Sequence, residues 1–310
     1  MDIINNKDFD NFNDGSLTVA IGSFDGLHRG HQEVIKEAKN IAEDNNMKSG
    51  VFSFIPHPLK VLKPGEAPKS LINHEQKASI LTDIGIDYFL RQKFTTEFSK
   101  MGFKEFILDI MINKLNVKHI IVGEDFKFGH EGMGHVNSLS YLGNKYGFEV
   151  TVLKAVKLNN EKISSTKIRN FIKEGNIKKA TEYLGRYFQI EGKVIEGDGR
   201  GRNIGFPTAN ISVSTDYVLP PNGVYAVYVI YNNKKFKGIT NLGFRPTFQG
   251  ENYSFETHII DFKGHLYDTQ LKIEFVNYIR EERKFNNRDE LAEQINSDIL
   301  YTNNLLCYNK

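Results

Sequence analysis

The chain has 310 residues, a length that favours two domains over one, and its 40% hydrophobic and 25% charged content is that of an ordinary globular protein. Forty basic residues face 38 acidic ones, so the net charge of +2 creates no strong field toward nucleic acid or a membrane surface. The single cysteine, Cys307, excludes an internal disulfide and a cysteine-based zinc site.

The beginning of the chain is polar and acidic, and it lacks the basic flank and apolar core of a signal peptide. No apolar run approaches the roughly 20 residues that a membrane span needs. We therefore expect a cytoplasmic protein. Basic residues form no cluster, so neither nucleic acid nor a membrane is an expected partner. The sequence leaves the oligomeric state open.

Strands and helices alternate along the first 185 residues. Hydrophobic periodicity predicts strands at 17–24, 49–54, 86–90, 119–126 and 148–156. It predicts helices at 31–45, 74–85, 103–115, 165–175 and 176–185. Such alternation, with nearly continuous apolar strands, predicts a parallel sheet covered by helices, in which ligands bind at the carboxyl ends of the strands.

Beyond residue 185 strands follow one another without helices between them. They are predicted at 187–197, 223–233, 234–244, 253–262 and 270–280, and a helix is predicted at 287–306. This succession predicts a small antiparallel barrel with one terminal helix. We therefore place the domain boundary after residue 185, which gives domains 1–185 and 186–310.

The first motif is "VAIGSFDGLHRGH" (19–31), at the point where a strand gives way to a helix. Gly22 and Gly26 permit a tight turn and close approach of a ligand to the backbone. A helix that begins near His31 favours an anion at its start, and the imidazoles of His28 and His31 can donate hydrogen bonds to phosphate oxygens. Two alternatives are a pair of surface or packing histidines and a zinc site, although no third zinc ligand is close in sequence.

A second helix start carries hydroxyl groups in "ISSTKIR" (163–169). Ser164, Ser165 and Thr166 can cap the helix or bind phosphate, and Arg169, one turn later, offers a guanidinium for phosphate oxygens. Taken alone, the stretch is equally compatible with a plain N-cap followed by a surface arginine.

The stretch "EGDGRGRNIGFPTAN" (196–210) is rich in glycine and arginine. It fits neither the dinucleotide-binding fingerprint, because position 202 is arginine, nor the common phosphate-binding P-loop. A flexible loop lying over a phosphate chain and an ordinary hairpin loop both remain possible.

Three oxygen-bearing residues follow in the second half. Thr208 and Asn210 alternate on an extended segment, so their side chains face the same way, and hydroxyl and amide oxygens suit Mg²⁺. Glu256 is a candidate base for an attacking alcohol, with an exposed strand residue as the alternative.

Together these motifs resemble the HxGH nucleotidyltransferases, and specifically the FAD synthetase module of the bacterial bifunctional riboflavin kinase/FMN adenylyltransferases. The likeness extends to "FSFIPHPLKVL" (52–62) and "VGEDFKFGHEGMG" (122–134). The second half is similar to riboflavin kinase in "GRGRNIGFPTAN", "NLGFRPTF", "FETHIIDF" and "IREERKF". The resemblance implies an α/β nucleotidyltransferase with a Rossmann-like parallel sheet, followed by a small antiparallel β-barrel riboflavin kinase domain with a C-terminal helix.

The resemblance also implies roles for individual residues. Catalytic roles would belong to His28, His31, Arg169 and Glu256. The nucleotide would lie against Gly22, Ser23, Phe24, Asp25, Gly26, Ser164, Ser165, Thr166, Gly197, Gly199, Gly201, Arg202, Thr208 and Asn210. Thr208 and Asn210 would also bind Mg²⁺. The flavin would lie near His57, Pro58, Asp125, Asn241 and Arg280. Without the resemblance, His57 is a rigid loop residue, Asp125 a strand-end cap and Arg280 a surface arginine.

The implied function is a pair of ATP-dependent, Mg²⁺-dependent reactions. Riboflavin would be phosphorylated to FMN with release of ADP, and FMN would be adenylylated to FAD with release of pyrophosphate. Two alternatives are an adenylyltransferase with another acceptor and a catalytically inactive flavin-binding regulator. The kinase-like half argues against the first, and the intact phosphate motifs with Glu256 argue against the second.

Overall fold

A computed structural model describes residues 1–197, 201, 205–247 and 250–307, with backbone alone for 244–247 and 250–253. The contacts between Cα atoms divide the chain into two compact units. The first comprises Met1–Lys69 and Asn73–Ser165, and the second comprises Ser70–Ile72 and Thr166–Lys310. The boundary after residue 185 stays a prediction, since these contacts group the two helices before it with the second unit.

The first unit contains a parallel sheet. Its strands in chain order are β1 (Asp2–Asn5), β2 (Leu17–Ile21), β3 (Lys48–Ile55), β4 (Tyr88–Lys93), β5 (Val117–Gly123), β6 (Lys127–Phe128), β7 (Gly134–His135), β8 (Glu149–Leu153), β9 (Lys157–Leu158) and β10 (Glu161–Lys162). Six of them form one sheet in the order β1-β4-β3-β2-β5-β8, with every pair parallel. The remaining strands form the antiparallel ribbons β6-β7 and β9-β10. The predicted parallel sheet is confirmed.

Helices connect the strands. They are α1 (Arg29–Asp44), α2 (Pro58–Leu62), α3 (His74–Ile84), α4 (Phe103–Glu105), which continues as a π-helix (Phe106–Lys114), α5 (Val136–Tyr146), α6 (Ser165–Lys173), α7 (Ile177–Leu184) and α8 (Arg288–Cys307). Short 3₁₀ segments cover Asn6–Asn11, Phe98–Lys100 and His130–Gly132. In the described part of the chain, no helix has the length and apolar character needed to cross a bilayer.

The sequence-based prediction missed helix α5 and strand β1, together with the short α2, β6, β7, β9 and β10; in the second unit it missed β12. Helix α5 contains serine, asparagine and glycine, which weaken helix propensity, and its buried residues are Leu139, Leu142 and Gly143. Strand β1 is a polar edge strand that pairs with β4. Both pack against neighbouring elements, β1 against β4 and α5 against β8, which supplements their weak intrinsic propensity.

The burial of the strands agrees with their places in the sheet. All five residues of β2 are buried, as expected for a strand covered on both faces. Phenylalanine rings pack beside the sheet, with Phe106 contacting the rings of Phe52, Phe54, Phe98 and Phe128 at centroid distances of 5.6 to 6.2 Å.

The second unit contains a closed antiparallel barrel. Its strands are β11 (Phe188–Ile195), β12 (Ala209–Val213), β13 (Gly223–Tyr231), β14 (Lys234–Thr247), β15 (Gly250–Ile259) and β16 (Gln270–Arg280). They close in the order β11-β12-β15-β14-β13-β16. The predicted barrel with a C-terminal helix is confirmed.

Side chains alternate between the two faces of the barrel wall. Phe255, Phe275 and Tyr225 are fully buried, and the ring of Phe275 contacts the rings of the other two. Their neighbours along the strands point to the opposite face, where Ile239 packs in a cluster with Ile299 of α8. Polar side chains that the sequence analysis selected in the second unit, among them Asn241 and Glu256, lie on this outer face beneath α8.

Candidate active sites

The turn between β2 and α1 is held in an unusual backbone conformation. Phe24, Gly26 and Leu27 all have positive φ, at 47°, 82° and 40°. Residues with a side chain enter this region at an energetic cost, so surrounding structure must sustain them. The side chains of Phe24 and Leu27 are buried, which anchors the turn from both ends.

The two histidines stack at the start of α1. His28 is the N-cap of the helix, and its Nδ1 accepts a hydrogen bond of 3.2 Å from the backbone amide of His31. The ring centroids lie 3.5 Å apart with an interplanar angle of 18°. A neutral imidazole that accepts at Nδ1 carries its proton on Nε2, so the other edge of His28 is a hydrogen-bond donor. The helix thus begins at Arg29, two residues earlier than the periodicity predicts.

The neighbouring glycine has a packing role. The amide of Gly22 donates to the carbonyl oxygen of Phe52 at 3.1 Å. A Cβ at Gly22 would lie 2.9 Å from the ring of Phe24, which itself meets the His31 ring edge to face at 5.3 Å. Glycine at this position therefore lets Phe24 support the histidine pair.

Within the first unit, Ser165 of the second predicted phosphate motif contacts the first motif. The hydroxyl of Ser165 donates to the carbonyl oxygen of Asp25 at 2.8 Å, although 140 positions separate the two residues. Ser164 immediately precedes α6. Thr166 and Arg169 follow in that helix, within the second unit, and Arg169 is buried.

The residues predicted near the flavin have local partners. His57 is the N-cap of α2 and accepts at Nδ1 from the amide of Leu59 at 3.2 Å, while Pro58 is the first residue of the helix. Asp125 follows β5 and forms an ion pair of 2.6 Å with Lys162. The hydrogen bond from Lys162 lowers the pKa of the Asp125 carboxyl.

One residue of this site was missed by the sequence analysis. Lys77 of α3 is buried, and its Nζ donates to the carbonyl oxygen of Ser23 at 2.7 Å and contacts the hydroxyl of Ser53 at 3.4 Å. Burial lowers the pKa of Lys77 to about 8, and the charge of Asp25 opposes that shift. Its spacing of four from the buried Leu81 places it on the apolar face of α3, which is the one sequence signal that could have identified it.

In the second unit, strand register places three polar residues side by side. Asn210 of β12 is paired with Glu256 of β15, and Glu256 is paired with Asn241 of β14. Directly opposite residues of antiparallel strands share a face, and Thr208 shares it with Asn210. Ser254 donates to the Glu256 carboxylate at 3.0 Å. The structure therefore assembles four sequence-predicted residues on the outer face of the barrel.

Two glycines of the Gly/Arg loop lie against this row. A Cβ at Gly197 would collide with the side chain of Asn210, and a Cβ at Gly201 would stand 3.4 Å from the Thr208 hydroxyl and collide with the Phe206 carbonyl. Glycine at both positions thus leaves the two side chains room. Gly199 and Arg202, which were also predicted to contact the nucleotide, lie outside the described residues.

His258 positions the segment that carries Thr208. A ring nitrogen of His258 lies 2.8 Å from the carbonyl oxygen of Pro207, and the ring meets Phe206 edge to face at 5.7 Å. These contacts tie the start of the "PTAN" segment to β15, two residues from Glu256. Sequence reasoning did not single out this histidine.

A cleft of about 590 Å³ opens beside the row, between the barrel wall and α8. Its lining includes Thr208, Asn241, Glu256, Arg280, Glu282 and Asp298. Asn241 donates to the carboxylate of Glu282 at 2.8 Å. The cleft is large enough to hold part of a nucleotide or flavin beside the predicted base.

Arg280 is engaged within the protein. Its Nε and Nη2 bind the carboxylate of Asp298 on α8 at 2.8 to 3.1 Å, and its Nη1 donates to the carbonyl oxygen of Glu281. Asp298 is buried, and Gln294 also donates to it at 2.7 Å. Arg280 therefore secures α8 over the cleft, and its predicted contact with the flavin stays a prediction.

The Arg280–Asp298 pair should contribute measurably to stability. Removing one partner of a buried ion pair leaves the other charge uncompensated, so we expect Asp298→Asn to lower the free energy of unfolding of the barrel unit by about 3 kcal/mol. The matched control is Asp268→Asn, because the Lys193–Asp268 pair has the same 2.8 Å separation but is exposed. Unfolding in urea, followed through the activity of the barrel unit, would measure the free energy of unfolding of both variants. Equal decreases in the two variants would contradict the expectation.

A parallel α/β unit with a glycine-containing turn at a helix start, joined to a closed barrel with a carboxylate beside a cleft, fits a class: nucleotide-dependent transferases with one site in each unit. The FAD synthetase family model matches residues 11–167, and the riboflavin kinase model matches residues 184–306. Bifunctional riboflavin kinase/FMN adenylyltransferases are 40% identical in Bacillus subtilis, over 93% of both chains, and 36% identical in Escherichia coli, over 91% of this chain and 90% of that one.

The chain belongs to the bifunctional riboflavin kinase/FMN adenylyltransferase family. It is an enzyme that phosphorylates riboflavin and adenylylates FMN, with ATP as co-substrate of both reactions. A crystal structure of a protein described as a macrolide-efflux protein from Streptococcus pneumoniae has the same fold, with a TM-score of 0.88 and 31% identity over 97% of this chain and 99% of that one. That description applies to the streptococcal protein.

Proposed function

We propose that the two reactions are divided between the two sites. Adenylyl transfer to FMN takes place at the turn before α1, and phosphoryl transfer to riboflavin takes place at the cleft beside β15. One observation supports this division most directly: Glu256 stands in register between Asn210 and Asn241, on the wall of the cleft.

In the kinase reaction, Glu256 accepts the proton of the ribityl 5′-hydroxyl of riboflavin. The hydroxyl oxygen forms a bond to the γ-phosphorus of ATP, the bond to the bridging oxygen breaks, and ADP leaves with that electron pair. The contact from Ser254 to the Glu256 carboxylate supports this role, because it orients the base within the row. Gly197 and Gly201 give the phosphate chain space above Asn210 and Thr208.

Mg²⁺ fits the donor set of this row. Thr208 and Asn210 offer a hydroxyl and an amide oxygen, which are ligands that Mg²⁺ accepts together with water and phosphate oxygens. A Cβ at Gly197 would fill the space at Asn210, so the absence of a side chain there keeps the amide accessible. When bound, the ion neutralises charge on the phosphates.

In the adenylyl transfer, an FMN phosphate oxygen attacks the α-phosphorus of ATP and pyrophosphate leaves. His28 and His31 donate to the phosphate oxygens, and the positive end of α1 adds to the stabilisation. The 3.2 Å bond at Nδ1 supports this role for His28, because it leaves Nε2 as the donor edge. Ser164, Ser165, Thr166 and Arg169 supply further donors to the nucleotide. Neither reaction requires a covalent enzyme intermediate.

The flavin contacts belong to the same proposal. FMN lies toward His57, Pro58 and Asp125 in the first unit, and riboflavin lies toward Asn241 and Arg280 in the second. We place the enzyme in the cytoplasm, where both flavins and ATP are available to it.

We expect the chain, given riboflavin, ATP and Mg²⁺, to form FMN first and FAD afterwards, as measured by chromatographic separation of the flavins. Removing divalent ions with EDTA should reduce both rates by about a hundredfold or more, and added Mg²⁺ should restore them. Accumulation of FMN without FAD would contradict the adenylyl-transfer assignment. Undiminished FMN formation in EDTA would contradict the assignment of Thr208 and Asn210.

A further inference from the structure

Three carbonyl oxygens of the turn before α1 are held by side chains from three different helices. Ser23 is bound by Lys77 of α3 at 2.7 Å, Asp25 by Ser165 of α6 at 2.8 Å, and Leu27 by Gln32 of α1 at 2.8 Å. The bound carbonyls are those of alternate residues. From Ser23 to Leu27, every second peptide group of the turn is therefore held by a hydrogen bond from a side chain to its carbonyl oxygen.

Each of these bonds also fixes the direction of an amide. In a trans peptide the N–H of the following residue points opposite to the carbonyl oxygen. The N–H groups of Phe24, Gly26 and His28 are thereby directed away from Lys77, Ser165 and Gln32, respectively. Successive amides in a turn with left-handed residues form concavities that bind anions. A carbonyl rotated toward the same anion would instead repel it.

Lys77 differs from the other two donors because it is a buried cation. Burying an ammonium group is costly unless it is hydrogen bonded, and among the described residues its partners within 3.5 Å are the Ser23 carbonyl and the Ser53 hydroxyl. Among the described residues, Asp25 on the turn acts electrostatically on Lys77, and on its own helix the charge of Lys77 adds to burial in lowering the pKa of His74. The cation thus lies on the side of the turn to which the Ser23 carbonyl points.

We propose that Lys77 and Gln32 are positioning residues for adenylyl transfer. They hold the Ser23 and Leu27 carbonyls on the protein side of the turn, so that the adjoining amides face the ATP phosphates, and Lys77 adds a positive charge behind them. This inference rests on the assignment of ATP to the turn before α1.

The direct test is Lys77→Met, which keeps the length of the side chain and removes its charge and donors. We expect the KM for ATP in FAD formation to rise about tenfold and kcat to fall about tenfold, while FMN formation by the same chain stays within about twofold. The matched control is Lys39→Met. Lys39 also donates its Nζ to a backbone carbonyl, that of Ile84, at 3.1 Å, but away from the turn. This control should leave FAD formation unchanged.

The pH dependence separates a charge effect from loss of structure. The pKa of Lys77 is about 8, so FAD formation by the unmodified enzyme should decline as the pH rises through this value and the ammonium loses its proton. Lys77→Arg keeps the charge, so its rate of FAD formation should not decline over this pH range. Lys77→Met should form FAD at a lower rate that is likewise independent of pH in this range. An unchanged descending limb in both variants would overturn the role of the charge.

Gln32→Met provides a second variant at a half-buried position, should Lys77→Met fail to fold as judged by circular dichroism. We expect it to raise the KM for ATP about threefold or more, with FMN formation unchanged. Normal ATP kinetics in folded Lys77→Met, or in Gln32→Met, would refute the proposal. His28→Ala is measured in parallel. Loss of FAD formation in this variant would support the assignment of ATP to the turn before α1, whereas an active His28→Ala would refute that assignment instead of the roles of Lys77 and Gln32.

Discussion

His28→Ala is expected to reduce FAD formation about a thousandfold and to leave FMN formation within about twofold of the unmodified enzyme. In the proposed assignment the imidazole donates from Nε2 toward charge that develops on the phosphates, and removal of one such donor from a preorganised site commonly has an effect of this size. The kinase reaction takes place in the barrel unit and does not use this residue. Supplying FMN or riboflavin with ATP, and measuring each flavin product, gives both rates.

His28 also caps α1, and loss of a cap alone would destabilise the helix by about 1 kcal/mol. The matched control is therefore His28→Asn, because asparagine caps helices well but cannot reach with an imidazole Nε2. Both variants should lose FAD formation, and His28→Asn should retain the stability of the unmodified enzyme. FAD formation that survives in His28→Asn would show that the histidine acts through the helix and not on the phosphates.

Glu256→Gln is expected to have the opposite selectivity. FMN formation should fall by about a thousandfold, because the amide cannot accept the proton of the attacking hydroxyl, and a general base commonly contributes a factor of this order. The amide oxygen of the substituted side chain can still accept the hydrogen bond from Ser254, so the geometry of the row is preserved. FAD formation from supplied FMN should remain within about twofold.

The pair of variants tests the division of labour as a whole. A mixture of His28→Ala and Glu256→Gln should convert riboflavin to FAD, because each chain supplies the step that the other lacks. If either substitution reduced both steps equally, the assignment of one reaction to each unit would be wrong.

Local features of the sequence were sufficient for much of the fold. Nearly continuous apolar strands predict the parallel sheet, and Gly85 and Gly185 predict the helix ends at which they are found, with φ values of 86° and 76°. Strand β1 and helix α5 were missed: β1 has four residues, and α5 contains serine, asparagine and glycine, which weaken helix propensity.

The candidate sites divide in the same way. The residues of "GLHRGH", "SSTKIR" and "PTAN" stand in short stretches, so spacing and resemblance were enough to propose them as site residues. Lys77 and Asp298 give no such signal. Each became visible only through a partner far along the chain, Ser23 for Lys77 and Arg280 for Asp298.

The sequence by itself determined the class of fold through its hydrophobic periodicity, and the two reactions through its resemblance to a known family, while the roles of its short phosphate motifs stay predictions. Only the tertiary structure decided which side chains hold the turn before α1 and which residues pair with Glu256 on the neighbouring strands. Lys77 and Ser165 bind carbonyl oxygens of residues 54 and 140 positions away in the chain. Hydrogen bonds at such separations depend on the whole fold, and no local pattern specifies them.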